Sequence, residues 1–467
     1  MRNIYRTIAA LSLVFAVGFA KAQTVSPVDF MRLNPYQLNT NLAADLPYHF
    51  ALSLFFGNMN TNVVNTGLHY DNLFEFDAQG RPSAVDLRKL VNSLHSTNDL
   101  SIDFNDNLFF LCCQLNKGML SVGYNVRVGA GLSYNDGLPK LLAYGNGAFV
   151  GEEHPAVIDL HLNANVYQEF AVGYQLNVTD QLSVGGRAKL LFGLANVNTD
   201  ACRAKLVTDA DSYALRLYED VAMSASLPVM MDIVDGQLQP SGRFAVASLF
   251  HNLGFGVDLG AEYRFDDRFG LVAAVNDLGF IHWKGNNYQL TSKVADVGQY
   301  YDDGSFFFQG MELDQIQQIA SDEMYREQFL DTLQQYFQLD FAEGAAYNTM
   351  LNGNCLVRGY YDLTPSNRFA AQVQGQWTGG SFRPALTLAY CGTFWNCLSV
   401  CATYTATRNS FNNFGLGIGA RLGVCHIYVA TNNIKGFIDP LNSNGFNAQA
   451  GIVFNALKKS HRVAAEE

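Results

Sequence analysis

Eight cysteines and nine histidines are the residues of this 467-residue chain best suited to chemistry, and their spacing decides how much they can do. Cys391, Cys397 and Cys401 share the parity of one strand face. A hairpin turning at 395–396 would set Cys391 nearly opposite Val400 and bring Cys401 within reach. Three uses follow: a disulfide between Cys391 and Cys401, permitted if the chain is exported; a soft-metal site; or small thiols filling semi-apolar slots. Cys112 and Cys113 are adjacent, so on a strand they project to opposite faces and cannot line one site. The histidines are scattered. His161, between Asp159 and Asn163 on a polar face, reads as a lumen-lining residue, because no nucleophile accompanies it. The sequence holds no G-x-S-x-G elbow, no H-E-x-x-H and no P-loop. The expectation is a protein that is not an enzyme, with no cofactor and no metal site.

A second set of residues is defined by charge. Arg127, Arg187, Lys189, Glu262, Arg264, Arg368 and Arg421 all fall on the polar parity of segments whose other face is apolar. In one enclosed lumen they would line a path for a solute, or pair with acidic neighbours and lock the path shut. Nucleic acid is excluded as a partner. The formal net charge is −12, from 30 basic and 42 acidic residues, and phosphate binding needs clustered Lys and Arg that the chain lacks.

The elements that must hold these residues are read from a period of two. Ile158, Leu160, Leu162, Ala164, Val166, Phe170, Val172, Tyr174 and Leu176 alternate with Asp159, His161, Asn163, Asn165, Glu169, Gln175 and Asn177. Successive strand side chains point to opposite faces, and the run is far longer than the 3 to 10 residues common in globular strands. Turn chemistry at Val178-Thr179-Asp180 follows. The alternation then resumes with Leu182, Val184, Ala188, Leu190 and Phe192 opposite Ser183, Arg187 and Lys189. The pattern recurs at 120–133, 255–275, 368–377, 414–422 and 446–455. The polar faces carry Gly, Asn, Gln and Ser rather than the dense Lys and Glu of a solvated sandwich, which suits a crowded lumen. In lipid, only a closed barrel leaves no unpaired strand edge.

Composition agrees. Charged residues are 15% and aromatics 13%, against about 25% charged in ordinary soluble domains. Yet mean hydropathy is only +0.01, as close alternation of apolar and polar residues requires. Arg2 and Arg6, the apolar run Ile8–Ala20 and the small-x-small signal Ala20-Lys21-Ala22 predict a signal peptide over 1–22. That run is shorter than the roughly 20 residues a spanning helix needs, and no later run reaches about 18.

The spacing therefore predicts an all-β fold: a transmembrane antiparallel barrel of about 14 strands (14–16) over 23–457, with a polar tail at 458–467. Short turns are expected near 116–118, 178–180, 266–267, 364–367, 395–396 and 423. Long connections are expected near 58–99, 133–155, 227–252, 282–345 and 433–445. The count depends on whether 199–226 adds a pair and whether 288–296 is a further strand. Ala84, Leu87, Val91 and Leu94, and the 311–338 stretch, predict short helices inside long loops. Trp283, Trp377 and Trp395 suit an interfacial girdle.

Asn34-Pro35 followed by Leu46-Pro47, Pro139-Lys140-Leu141-Leu142 through Tyr144-Gly145-Asn146, and Asp277-Leu278-Gly279-Phe280-Ile281 to Trp283-Lys284 carry a resemblance. They resemble a Bacteroidetes family of uncharacterised outer-membrane proteins of the FadL and PorV type. The resemblance implies a barrel of about 14 strands in the Gram-negative outer membrane. Its expected partners are membrane lipid, including lipopolysaccharide, and the barrel-assembly machinery. FadL-type barrels move hydrophobic molecules and PorV-type barrels serve type IX secretion, so two functions are carried forward. One is passive transport of a small or hydrophobic solute. The other is a structural barrel that binds surface or secretion partners through its long loops.

Overall fold

The computed structural model describes residues 25–458, apart from 214, 235–236, 242–249, 293–305, 309–323, 325–338, 379–380, 396 and 408–409. The signal peptide expected over 1–22, the helices expected at 311–338 (apart from Met324) and all but the first residue of the expected polar tail lie outside the described residues.

Fourteen antiparallel strands form the wall. They are β1 (Tyr48–Leu54, resuming as Met59–Asn65), β2 (Asn98–Leu115), β3 (Gly118–Tyr134), β4 (Ala156–Asn177) and β5 (Leu182–Thr208). Next come β6 (Leu215–Ser226, resuming as Asn252–Arg264), β7 (Phe269–Trp283, prolonged by Asn287–Ser292 and Phe306–Phe308) and β8 (Leu339–Glu343, Tyr347–Met350 and Asn354–Thr364). The wall is completed by β9 (Asn367–Thr378), β10 (Ser381–Phe394), β11 (Leu398–Thr407), β12 (Ser410–Leu422), β13 (Cys425–Thr431) and β14 (Gly445–Leu457). Each pairs with its sequence neighbours, and β14 returns to β1, Leu52 facing Phe454 and Asn62 facing Asn447. Closure removes every strand edge, which is what a spanning sheet in hydrocarbon requires.

Two alternatives left by the sequence are resolved by these pairings. The 199–226 stretch adds no pair of strands: β5 runs unbroken past Thr199, and Leu215–Ser226 is one half of β6, both halves pairing with β5. Asn287–Ser292 prolongs β7 instead of adding a strand, because it pairs with the same neighbour, β6. Likewise 59–65 belongs to the wall, and 227–251 interrupts β6 instead of joining two strands.

Outward side chains are large and apolar, including Phe170, Val172, Phe255, Leu259, Phe280, Leu388, Phe414 and Ile452, each at least 38% exposed. In water so continuous a band would drive association; facing lipid it is the complement of the hydrocarbon core. No helix among the described residues is long and apolar enough to cross a membrane. Helix α1 (Leu87–Ser93) starts on Asp86, whose carboxylate accepts from Lys89 N at 2.9 Å. Ala84, expected on the same helical face, instead lies in a small hairpin strand paired to Glu75. Helix α2 (Gly137–Tyr144) sits in the connection after β3.

The lumen holds a plug that alternation did not announce. Residues 25–47 fold inside the barrel near its short-turn end, with Val28, Ala43 and Leu46 fully buried and Met31, Tyr36 and Leu38 nearly so. Two 3-10 turns shape it, Pro27–Phe30 and Pro35–Asn39, each with Pro at its first position. Ser26 Oγ caps the first through Val28 N (3.2 Å) and Asn34 Oδ1 the second through Tyr36 N (2.9 Å). Gly185 marks a close approach of plug backbone to wall: a β-carbon there would stand 2.2 Å from the Leu42 carbonyl oxygen.

Candidate functional site

Strand parity carries Arg127 (β3), Glu169 (β4), Arg187 and Lys189 (β5) and Asp258 (β6) inward at one level. Asp277 (β7) joins them by a different route. A bulge lets Val257 face Leu278 while Leu259 faces Val275, and Asp277 takes φ 57°. The irregularity turns its carboxylate into the lumen. Lys189 Nζ then lies 2.5 Å from Asp277 Oδ1, 2.7 Å from Asp258 Oδ1 and 3.8 Å from Glu169 Oε2. Arg127 reaches Glu169 at 3.0 Å and Asp277 at 3.4 Å, and Arg187 reaches Asp258 at 3.5 Å. Three cations face three carboxylates. With the Lys189 side chain only 1% exposed, an unmatched charge here would be costly.

The lattice touches the plug. Arg187 donates to the Leu38 carbonyl (3.0 Å) and to Asn39 Oδ1 (3.5 Å). A hydrogen-bond chain runs from plug to lattice: Tyr36 Oη to Asn107 Oδ1 (2.6 Å), Asn107 Nδ2 to Asn125 Oδ1 (2.7 Å), Asn125 Nδ2 to Glu169 Oε1 (2.9 Å).

Glu262, Arg264 and Arg368 form a second, separate group. Glu262 accepts from Asn41 Nδ2 of the plug (2.8 Å) and from Tyr360 Oη (2.7 Å), with Arg264 at 3.4 Å. Arg368 holds Asp362 through two bonds of 2.7 and 2.8 Å and stacks 3.7 Å above the Tyr360 ring. Arg421 belongs to neither group; it stands opposite His426 at the short-turn end of β12.

Arg358 was not among the expected residues, yet it grips the plug. Its guanidinium donates to the Asp29 carbonyl (2.7 Å) and Thr40 Oγ1 (3.3 Å), lies 4.3 Å over the Phe30 ring, and is braced by Gln372 Oε1 (2.7 Å). The Asp29 carboxyl is pushed up to about 6 by burial, against the opposing pull of the Arg358 guanidinium.

Cys391 and Cys401 face each other across β10 and β11 and form a disulfide, their Cα atoms 4.1 Å apart. The register is one residue from the expected pairing with Val400, because the turn holds three residues between Phe394 and Leu398, with Trp395 at φ 51°. The pair packs beside Phe30 and Met31 of the plug. Cys112 is buried against the plug side and Cys113 is less so, on opposite faces. Among the described residues, no three His, Cys, Asp or Glu are grouped to hold a metal.

Between the plug and the strand ends at the long connections lies a chamber of about 350 Å³. Its floor includes Arg127 and Asp277 of the lattice and Asp29 and Thr40 of the plug; its walls are rich in Asn and Gln, among them Asn60, Asn163, Asn165, Gln376 and Gln449, and His161 faces it too. Trp283, expected in the interfacial girdle, is wholly buried and donates from Nε1 to Thr349 Oγ1 at 2.7 Å.

A family model described as a family of unknown function, DUF5723, matches residues 43–432. No curated protein matches the chain. Among solved structures, the toluene transporter TodX of Pseudomonas putida is similar at 9% identity, with 90% of this chain and 91% of that one covered and a TM-score of 0.40. A FadL homologue of Pseudomonas aeruginosa gives 11% identity, 93% and 97% coverage and a TM-score of 0.41. The CymD monoaromatic hydrocarbon channel gives 9%, 93% and 98%, with a TM-score of 0.33. At such values these likenesses assign no residue a role, and the architecture rests on the strand pairing above.

Proposed function

The chain belongs to the family of unknown function DUF5723, and we propose that it is an outer-membrane barrel that admits a small solute to its lumen and passes it by diffusion when the plug yields. One observation carries this reading: a chamber of about 350 Å³ inside a closed, lipid-compatible wall, floored by a plug and an ion lattice. That volume falls within the roughly 300–1,000 Å³ typical of small-molecule sites. The plug is held by polar contacts such as those of Arg187, Asn41 and Arg358 and by apolar packing of residues such as Val28, Phe30 and Leu38, all of it outside the strand ladder, so its release does not require breaking the wall. A hydrophobic solute draws less support from this chamber than a polar one, since Asn and Gln side chains outnumber apolar ones along its walls. Non-enzymatic action is part of the same proposal.

The filled short-turn half of the lumen favours a second reading, a structural barrel that binds surface or secretion partners through its long connections. Swelling of proteoliposomes separates the two. Reconstituted full chain in an isotonic gradient of small neutral solutes should swell faster than protein-free vesicles. Vesicles that hold folded barrel yet swell no faster would remove the transport reading and leave the structural one.

A further inference from the structure

Amides of the chamber wall are linked to one another and, on one side, to amides behind the wall. On the β4–β5 side, Asn163 Nδ2 donates to Asn198 Oδ1 (3.0 Å), Asn165 Nδ2 to Asn163 Oδ1 (2.8 Å) and Asn196 Nδ2 to Asn165 Oδ1 (2.6 Å). On the β14–β1 side, Asn447 Nδ2 donates to Asn60 Oδ1 (2.9 Å) and Gln449 Nε2 to Asn58 Oδ1 (2.7 Å). A carboxamide has two N–H donors and two acceptor lone pairs. Each link in such a row consumes one donor of one amide and one lone pair of the next. Asn196 and Asn447 spend their second N–H on the Ala164 and Thr61 carbonyls, so what the walls keep for a guest lies on amides such as Asn163, Asn165 and Asn60, a fixed, neutral pattern of donors and acceptors.

Charge offers a guest little. Arg127 and Asp277 at the floor are engaged with each other (3.4 Å), and Arg383 lies 4.0 Å from Asp99; of the other lining carboxylates, Asp103 stands beside Arg383 and Asn62, and Asp29 beside Arg358 and Thr40. An ionic solute would therefore find its counter-charges already occupied. A hydrocarbon would cover the amide rows without replacing their bonds to water, at about 1–3 kcal/mol for each group so stripped. A hydroxyl gives and accepts a hydrogen bond at once, and a ring of hydroxyls does so at close intervals without net charge.

We infer that the chamber binds a neutral polyhydroxylated solute of mono- to disaccharide size. The inference rests on the reading of the lumen as a solute compartment, but it concerns recognition and stands or falls apart from flux. No covalent step is involved.

The test uses full-length barrel in detergent micelles, with trehalose as probe and toluene and lysine as comparison solutes, read by saturation-transfer NMR and titration calorimetry. Trehalose should bind, with toluene and lysine giving no chamber signal. The Asn163→Leu, Asn165→Leu double variant should weaken trehalose by at least about tenfold, the loss of one to two hydrogen bonds. Should that variant misfold, Gln449→Leu on the other wall serves the same purpose, with foldedness checked by heat-modifiable gel mobility. Absence of trehalose binding in folded barrels that do swell in gradients of small neutral solutes or of lysine overturns the inference and leaves transport standing. Trehalose binding that both variants leave untouched also overturns it. Binding without any flux upholds the inference and removes the transport reading.

Discussion

Asp277 departs from the parity of its own strand to meet Lys189, its Oδ1 2.5 Å from the Lys189 Nζ. The left-handed φ of 57° at Asp277 is what makes the contact. This bulged carboxylate completes the balance of three cations and three anions beneath the chamber.

Removing Lys189 should therefore cost far more than removing a surface lysine. Lys189→Met leaves Glu169, Asp258 and Asp277 facing only Arg127 and Arg187, and the expected loss is about 3–5 kcal/mol. The midpoint of guanidinium unfolding in micelles reads it. An unchanged midpoint would mean that water already screens the lattice.

The plug should loosen when its main clamp is cut. Arg358→Ala removes the contacts to Asp29, Thr40 and Phe30 while leaving the wall intact. Charged hydrogen bonds of this kind contribute about 2 kcal/mol net, so the population of released plug should rise roughly thirtyfold. A spin label at Leu33 of the plug, read for mobility, follows this directly; an equally immobile label in both proteins would refute the clamp.

Acid should seat the plug more firmly. Asp29 carries a carboxyl raised from 3.8 to about 6 in the folded protein, so folding favours its protonated form. That stabilisation is fully present below about 4, declines as pH rises towards 6, and is gone above it. Plug mobility at the Leu33 label should increase between pH 4 and 7, and Asp29→Asn should flatten the curve. A reversed slope would contradict the sign.

Of the eight cysteines, Cys391 and Cys401 should resist alkylation until reduced. With a sequence separation of 10, the cross-link should contribute about 2–3 kcal/mol through the unfolded chain. The Cys391→Ser, Cys401→Ser pair should lower the unfolding midpoint accordingly without altering barrel closure. Alkylation of both thiols before reduction would rule the bond out.

Much of the wall was legible because alternation is a backbone property: wherever a strand keeps its pleat, polar and apolar positions sort themselves. Arg127, Arg187, Lys189 and Glu262 point inward for that reason alone. What escaped was whatever breaks the period. Asp277 and Trp283 lie at and beyond one bulge in β7, which exchanges inward and outward positions from there on, so Trp283 is a core residue instead of a girdle residue. Residues 25–47 form tight turns with no period of their own. Only Ser26-Pro27 and Asn34-Pro35, each a cap followed by proline, mark them in the sequence. Arg358 could have been found: it holds the inward parity of β8, but its value lies in the plug it meets, and pattern cannot supply the partner.

The central claim is that the plug closes a lumen otherwise able to conduct. Planar-bilayer current through the full chain should be compared with that through a chain lacking residues 25–44. The full chain should open only in brief events, enough to let small solutes leak in the swelling assay, and the shortened one should give sustained discrete steps. A shortened barrel that inserts, keeps its heat-modifiable mobility and passes no current would contradict the account.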